Sequence, residues 1–284
     1  MLKVANIAVV GHGFVGKAVA HGFRGNNLTI IDPMLNTSTS DLITAAKSGA
    51  RYNAVFICVP TPMGEDGTID ASIVAKVLEE LKDLDTILVL KSTVIPDIVD
   101  GFSKIYKNFV YNPEFLTEAN AGHDFENPSI HVFGGNIEFC EELDLIYVMH
   151  SQCKWCPSRF MSAKEASFAK YSINSFLALK VIFWNQMKTL MEENGADYDL
   201  VRSAFTEDPR IGKSHSAIPG HDGRMGTGSA CFSKDIPAII QYSKMTGQEL
   251  SVLREAWNVN CDIRNAYGEV LPREKEQHIT FNKI

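Results

Sequence analysis

A chain of 284 residues, 45% hydrophobic and 21% charged, has the proportions of a globular protein with room for one large or two moderate domains. Its formal net charge of −7 and the lack of any basic stripe argue against a nucleic-acid partner. No apolar run reaches membrane-spanning length, and six scattered cysteines lack the density of a disulfide framework, so a cytoplasmic chain with reduced thiols and no membrane partner is expected.

The opening segment "VANIAVVGHGFVGKAVAHGF" reads as strand, glycine turn and helix. Residues 4–10 are mostly apolar and β-branched, as in a parallel strand buried on both faces. "NLTIID" is a second strand ending at Asp32, "NAVFICVP" a third and "DTILVLKST" a fourth. Between the last two, "DASIVAKVLEELKDL" has amphipathic helical spacing with Asp70 at its start. "FVYNPEF" and "SIHVFGG" add two short strand candidates. Strands alternating with helices predict an α/β fold, a Rossmann-type doubly wound parallel sheet over residues 1–158.

The character changes after residue 158. Ser162 followed by Glu165 matches a capping box, and a helical pattern then runs without glycine or proline to Asn194-Gly195. Its aromatic and aliphatic residues spread around more than one face, so it is expected to be the spine of an all-helical domain over 159–270. Further helices are expected at "DYDLVRSAF", "KDIPAIIQYSKM" and "ELSVLREAWNVNCDIRNAY", followed by a polar, loosely held tail over 271–284.

The turn "GHGFVG" is the first chemical signal. Three glycines alone are weak evidence, but the strand before, the helix after and Asp32 at 21 residues from Gly11 complete a dinucleotide-binding pattern. Gly11 and Gly13 let a pyrophosphate approach the backbone, with Phe14 and Val15 opening the helix whose N–H groups face it. Asp32 would accept from the ribose hydroxyls and repel a 2′-phosphate, which favours NAD over NADP.

Lys170 and Asn174 stand at i and i+4 on one face of the long helix, where they can hold a substrate oxygen. Both types are common on solvated faces, so the pair gains weight only beside other signals. Cys231 provides one. The glycine-rich stretch "GHDGRMGTGSAC" lets a ligand approach closely, and a thiol before a helix N-terminus is a nucleophile candidate, although a single cysteine is more commonly a small buried residue. Asp235 lies four residues on, within reach of an ordered water. His150, Cys153 and Cys156 in "HSQCKWC" lack a fourth ligand close in sequence, so no metal site is expected.

"GTGSACFSKD" resembles the active-cysteine signature of the UDP-glucose/GDP-mannose dehydrogenase family. "GHGFVG", "CVPTP", "KSTV", "NPEFLTEA", "AKYSINSFLALK" and "EDPRIG" match that family in order over residues 5–265. The resemblance implies NAD contacts at Thr61, Thr93 and Lys234, with Glu118 near both cofactor and sugar. It implies a sugar-binding backbone at Phe115, Leu116 and Thr117, and Arg210 reaching the sugar across a dimer interface formed by the long helix. Cys231 would be the nucleophile, Glu114 the acid–base residue of thioester hydrolysis, and Lys170, Asn174 and Asp235 the holders of the reacting oxygen and a water. The implied reaction is NAD-dependent oxidation of a nucleotide-sugar 6-hydroxyl, most commonly UDP-glucose to UDP-glucuronate, through a thiohemiacetal and a thioester.

Relative to that family, "HDGRM" looks like an insertion, Ser229 stands where glycine is usual, and a third, nucleotide-gripping domain is expected to be missing after "LPREKEQHITFNKI". Two other readings stay open. One is a β-hydroxyacid dehydrogenase of related architecture; the other is a catalytically silent NAD-binding dimer.

Overall fold

The computed structural model describes residues 4–117, 120–228 and 230–284. The chain divides into two compact units, one of residues 1–61 and 70–170, the other of 62–69 and 171–284.

The first unit alternates strands and helices: β1 (Asn6–Val10), α1 (Phe14–Gly22), β2 (Asn27–Ile31), α2 (Thr39–Lys47), β3 (Ala54–Ile57), α3 (Ser72–Leu81), β4 (Ile87–Leu90), α4 (Pro96–Ile105), β5 (Phe109–Tyr111), α5 (Ala121–Glu126), β6 (His131–Gly135), α6 (Ile137–His150) and β7 (Ser158–Met161). The sheet order is β2-β1-β3-β4-β5-β6-β7. All neighbours are parallel except β5 and β6, an antiparallel pair inside the expected parallel sheet.

Both faces of this sheet are covered, which is why β3 and β4 are continuous apolar runs. Leu88 and Leu90 point into a core with Leu42, Leu78, Val99 and Phe102 of α2, α3 and α4. Ile87 and Val89 point the other way, into a core with Val19 of α1, Phe23 just beyond that helix, Phe125 of α5 and Tyr147 of α6. Two elements carry little sequence signal. The edge strand β7, "SRFM", is half-exposed and has no apolar run, while α6 is apolar on its outer face as well, with Leu145 and Val148 exposed.

A single helix, α7 (Ala163–Glu193), starts in this unit and continues into the second. Its start is the expected box: the Ser162 N–H donates to Glu165 Oε2 at 2.8 Å, and the Glu165 N–H to Ser162 Oγ at 3.2 Å. Gly195 beyond its end has φ +76°, which suits glycine.

The second unit adds α8 (Tyr198–Phe205), α9 (Ala230–Met245), α10 (Ser251–Asn265) and a short α11 (Pro272–Glu276). Trp184, Tyr198 and Ile218 form one of its cores, with Trp184 stacked on Phe205. The tail is not loosely held. Glu274 is fully buried against Arg264, and Ile279 packs with Met63 and Ala230. A polar tail orders here because its charges meet a buried partner ten residues back in the chain.

Candidate active site

In the first unit the chain reverses its direction across the sheet between β1 and β3, and the crevice at the carboxyl ends of such strands is where α/β sheets bind ligands. The three glycines there have different physical reasons. Gly11 sits at φ +90°, and a Cβ on it would come within 2.7 Å of the Cys58 carbonyl oxygen. A Cβ on Gly16 would meet the Gly11 carbonyl oxygen at 1.9 Å. At Gly13 a Cβ would meet nothing within 4 Å, so nothing in the described protein calls for glycine there.

Gly13 also caps α1 without a side-chain bond, and the first turn carries no acid, so the N–H groups of a nine-residue helix open toward that space. Phe14 and Val15, both half-buried, begin the helix. Asp32 directly follows β2, its carboxylate accepting from the His12 N–H at 2.6 Å and the Met34 N–H at 2.8 Å. Each oxygen keeps a lone pair for a ribose hydroxyl. The donor set fits NAD: amides for pyrophosphate, a carboxylate for ribose and a gap over Gly13.

Thr61 and Thr93, both buried, follow β3 and β4. After β5, Glu114 forms a buried pair with Lys170, whose Nζ donates to the Glu114 carbonyl at 2.5 Å and to Oε1 at 3.2 Å. The Leu116 N–H donates to the other carboxylate oxygen at 2.6 Å. Phe115 lies beneath Lys170, 5.4 Å from ring centroid to Nζ. Thr117 is exposed and donates its N–H and hydroxyl to Asp124. Glu118 lies outside the described residues.

One network escaped the sequence reading. Lys91, Asn112 and Tyr147 are buried together: Lys91 Nζ donates to Asn112 Oδ1 at 2.9 Å, and the Tyr147 hydroxyl to the same oxygen at 2.8 Å. Burial pushes the Lys91 ammonium down to about 8, with Glu114 among the groups opposing the shift. Burial likewise raises the adjacent Cys58 thiol to about 12. The signal available was positional, since Lys91 and Asn112 directly follow apolar strands at their carboxyl ends.

In the second unit Asp235 is fully buried and accepts from Asn174 Nδ2 and from Lys234 Nζ, both at 2.7 Å. Lys234, expected to reach NAD, here pairs with its neighbour. Cys231 is half-buried in the first turn of α9 rather than just ahead of it. Arg210 is exposed and forks onto Asp208, with Nη2 to Oδ2 at 2.5 Å. The expected site residues therefore gather as two local sets, Glu114 with Lys170 and Asp235 with Asn174 and Lys234.

Among the described residues no group of three or more His, Cys, Asp or Glu is placed to hold a metal ion. The Cys153 thiol instead donates to the Phe125 carbonyl. No described helix is long and apolar enough to cross a membrane.

Residues 34–150 match the NAD binding domain of the UDP-glucose/GDP-mannose dehydrogenase family, and residues 164–262 match its central domain. The chain belongs to this family. It is 31% identical to the UDP-glucose 6-dehydrogenase of Pseudomonas aeruginosa, over 93% of this chain and 67% of that one. The enzyme of the same name from Rickettsia bellii is also 31% identical, over 82% of this chain and 62% of the relative. The chain thus spans about two thirds of these relatives' length. Among solved structures, a UDP-glucose dehydrogenase from Pyrobaculum islandicum superposes with a TM-score of 0.74 at 27% identity, covering 91% of this chain and 68% of that one. The 3-hydroxyisobutyrate dehydrogenase of Mycobacterium tuberculosis shares the fold at a TM-score of 0.70 and 15% identity, covering 98% and 97%.

Proposed function

We propose that the chain oxidises the 6-hydroxyl of a nucleotide sugar, UDP-glucose first among them, to the carboxylate, reducing two NAD and consuming one water per sugar. NAD supplies the hydride acceptor for both oxidations. Asp32 orients it through the ribose, Gly13 admits its pyrophosphate to the amides of α1, and Thr61, Thr93 and Lys234 contact it.

Phe115, Leu116 and Thr117 line the sugar, and Arg210 reaches it from a second copy of the chain. As the first hydride leaves the substrate carbon, the hydroxyl proton passes to a water held by Asp235. The Cys231 thiol gives its proton to solvent water as Sγ adds to the aldehyde carbon, and Lys170 and Asn174 stabilise the alkoxide so formed. Loss of the second hydride leaves a thioester. A water positioned by Glu114 attacks it, and the C–S bond breaks to return the thiol and release the acid.

The observation that carries this reading is Asp235, fully buried yet supplied with two donors, on the helix whose first turn bears Cys231. A buried carboxylate so held suits a fixed proton relay better than packing. Family membership supports the substrate class. A homodimer through α7 accompanies the proposal, supported by the exposed stripe of Ile173, Phe176, Phe183 and Leu190.

The test is NADH yield from NAD with UDP-glucose, GDP-mannose and small hydroxyacids, wild type beside Cys231→Ser. Two NADH per UDP-glucose, with the variant at least about 100-fold slower in the second, supports the reading. Turnover of a hydroxyacid with one NADH moves the chain to that class. Saturable NAD binding with no turnover leaves a silent binder.

A further inference from the structure

Arg264 is 3% exposed near the end of α10 and lies between two carboxylates, with Nη1 to Asp222 Oδ2 and Nη2 to Glu274 Oε1, both at 2.7 Å. Asp222 belongs to the "HDGRM" stretch and Glu274 to α11. Arg264 and Glu274 lie past residue 262, where the central-domain match ends. The "HDGRM" stretch also meets the residues between α10 and α11, where Arg224 Nη1 donates to the Glu269 carbonyl at 2.8 Å.

The guanidinium forms the floor of the glycine segment. A Cβ on Gly228 would fall 2.0 Å from Arg264 Nη2, and one on Gly226 would fall 2.7 Å from Asn260 Oδ1. The segment is then hydrogen-bonded from two helices. The Gly226 N–H donates to Asn185 Oδ1 at 2.8 Å, the Thr227 N–H to Asn260 Oδ1 at 2.7 Å, and Asn260 Nδ2 returns a bond to the Thr227 carbonyl at 3.1 Å. Three residues beyond Gly228 stands Cys231. A loop rich in glycine has the most conformational freedom to lose, so the contacts that fix it must offset that entropy.

We propose that Arg264, clamped by Asp222 and Glu274, is a positioning residue that orders residues 222–228 and thereby sets the place of the Cys231 thiol. The inference rests on the reading of Cys231 as nucleophile. It assigns a function to α11, which supplies the carboxylate that holds the clamp shut. Removing one carboxylate leaves the buried guanidinium half-compensated, and the cost falls on the loop resting against it.

Hydrogen exchange and iodoacetamide labelling of the full chain test the clamp without requiring turnover. In Glu274→Gln, exchange over 222–228 and labelling of Cys231 are each expected to rise about tenfold or more, while Cys140 and the sheet strands stay at wild-type values. With UDP-glucose, kcat is expected to fall about tenfold at unchanged KM for NAD, and Glu274→Asp to recover most of it. Arg264→Met should exceed Glu274→Gln in every readout; should it fail to fold, Glu274→Gln carries the test. Wild-type exchange and labelling in Glu274→Gln overturn the proposal, as does a loosened loop with unchanged kcat. Full two-NADH turnover by Cys231→Ser overturns the nucleophile reading instead, a result that labelling of Glu274→Gln cannot mimic.

Discussion

Two segments, the turn after β1 and the loop ahead of Cys231, carry glycines for opposite reasons. In the turn after β1, Gly11 and Gly16 are enforced by backbone carbonyls 2.7 and 1.9 Å from where a Cβ would be. In the segment ahead of Cys231, Gly226 and Gly228 are enforced by the side chains of Asn260 and Arg264. The two units also bury cations in different ways, as Lys91 and Arg264 show. Lys91 rests on an amide and a phenol and loses proton affinity; Arg264 sits between two carboxylates. The turn is crowded by fixed backbone, its own Gly11 carbonyl and that of Cys58 after β3, whereas the loop is crowded by side chains of α10 that can yield.

The largest expected effect is in the first region. Gly16→Ala places a methyl against a carbonyl that has nowhere to move, so a loss of more than about 3 kcal/mol in stability is expected, with NAD binding abolished. Urea unfolding and cofactor titration check both. A tolerated Gly16→Ala would break the comparison at its stiff end.

Lys91→Met addresses the buried cations. The folded-state value of Lys91, about 8, lies below its ordinary 10.5, so the folded protein binds fewer protons than the unfolded chain between those values. Stability of the wild type should therefore rise relative to Lys91→Met as pH goes from 8 to 10.5, by no more than about 3 kcal/mol, and the difference should be flat below pH 8. Denaturant midpoints of the two proteins at pH 7, 9 and 10.5 measure it. A pH-independent difference would mean that burial leaves the Lys91 proton affinity where it is in the unfolded chain.

Gly228→Ala is the counterpart of Gly16→Ala in the side-chain-built region. The clash is with a guanidinium, which can yield where a carbonyl cannot, so the expected cost is smaller, about 2 kcal/mol. Pairing it with Arg264→Met gives a double-mutant cycle, and strong non-additivity is the expected sign that the two touch.

The same contrast explains what was legible in the sequence. The turn after β1 could be read because its glycine spacing lies between one strand and one helix and Asp32 falls at a fixed distance, even though the carbonyl that crowds Gly11 belongs to Cys58. The long helix was legible for the same reason, down to the Ser162–Glu165 box. The Arg264 clamp was not, because Asp222 and Glu274 lie 42 and 10 residues from Arg264 and no local pattern links them. The tail looked loose because its charges were counted as solvated. β7 and α6 were missed because one is a polar edge strand and the other is apolar beyond its buried face. Lys91 was passed over as part of "KST", although a lysine directly behind the apolar run "ILVL" is where a buried cation would stand.

Gly13 gives the smallest effect and the sharpest discrimination. Of the three turn glycines it alone faces open space, and its φ of −74° is negative. If its role is internal, Gly13→Ala should cost stability as Gly16→Ala does. If the space belongs to a pyrophosphate, stability should stay within about 0.5 kcal/mol of wild type. Affinity for NAD should then fall about tenfold, equivalent to about 1.4 kcal/mol, as the methyl displaces phosphate from the amides of α1. The prediction separates folding from binding in one substitution, read by melting without cofactor and titration with it. Equal loss in both would place the glycine's role in the protein's own backbone, and the two glycine segments would then differ only in which atoms do the crowding.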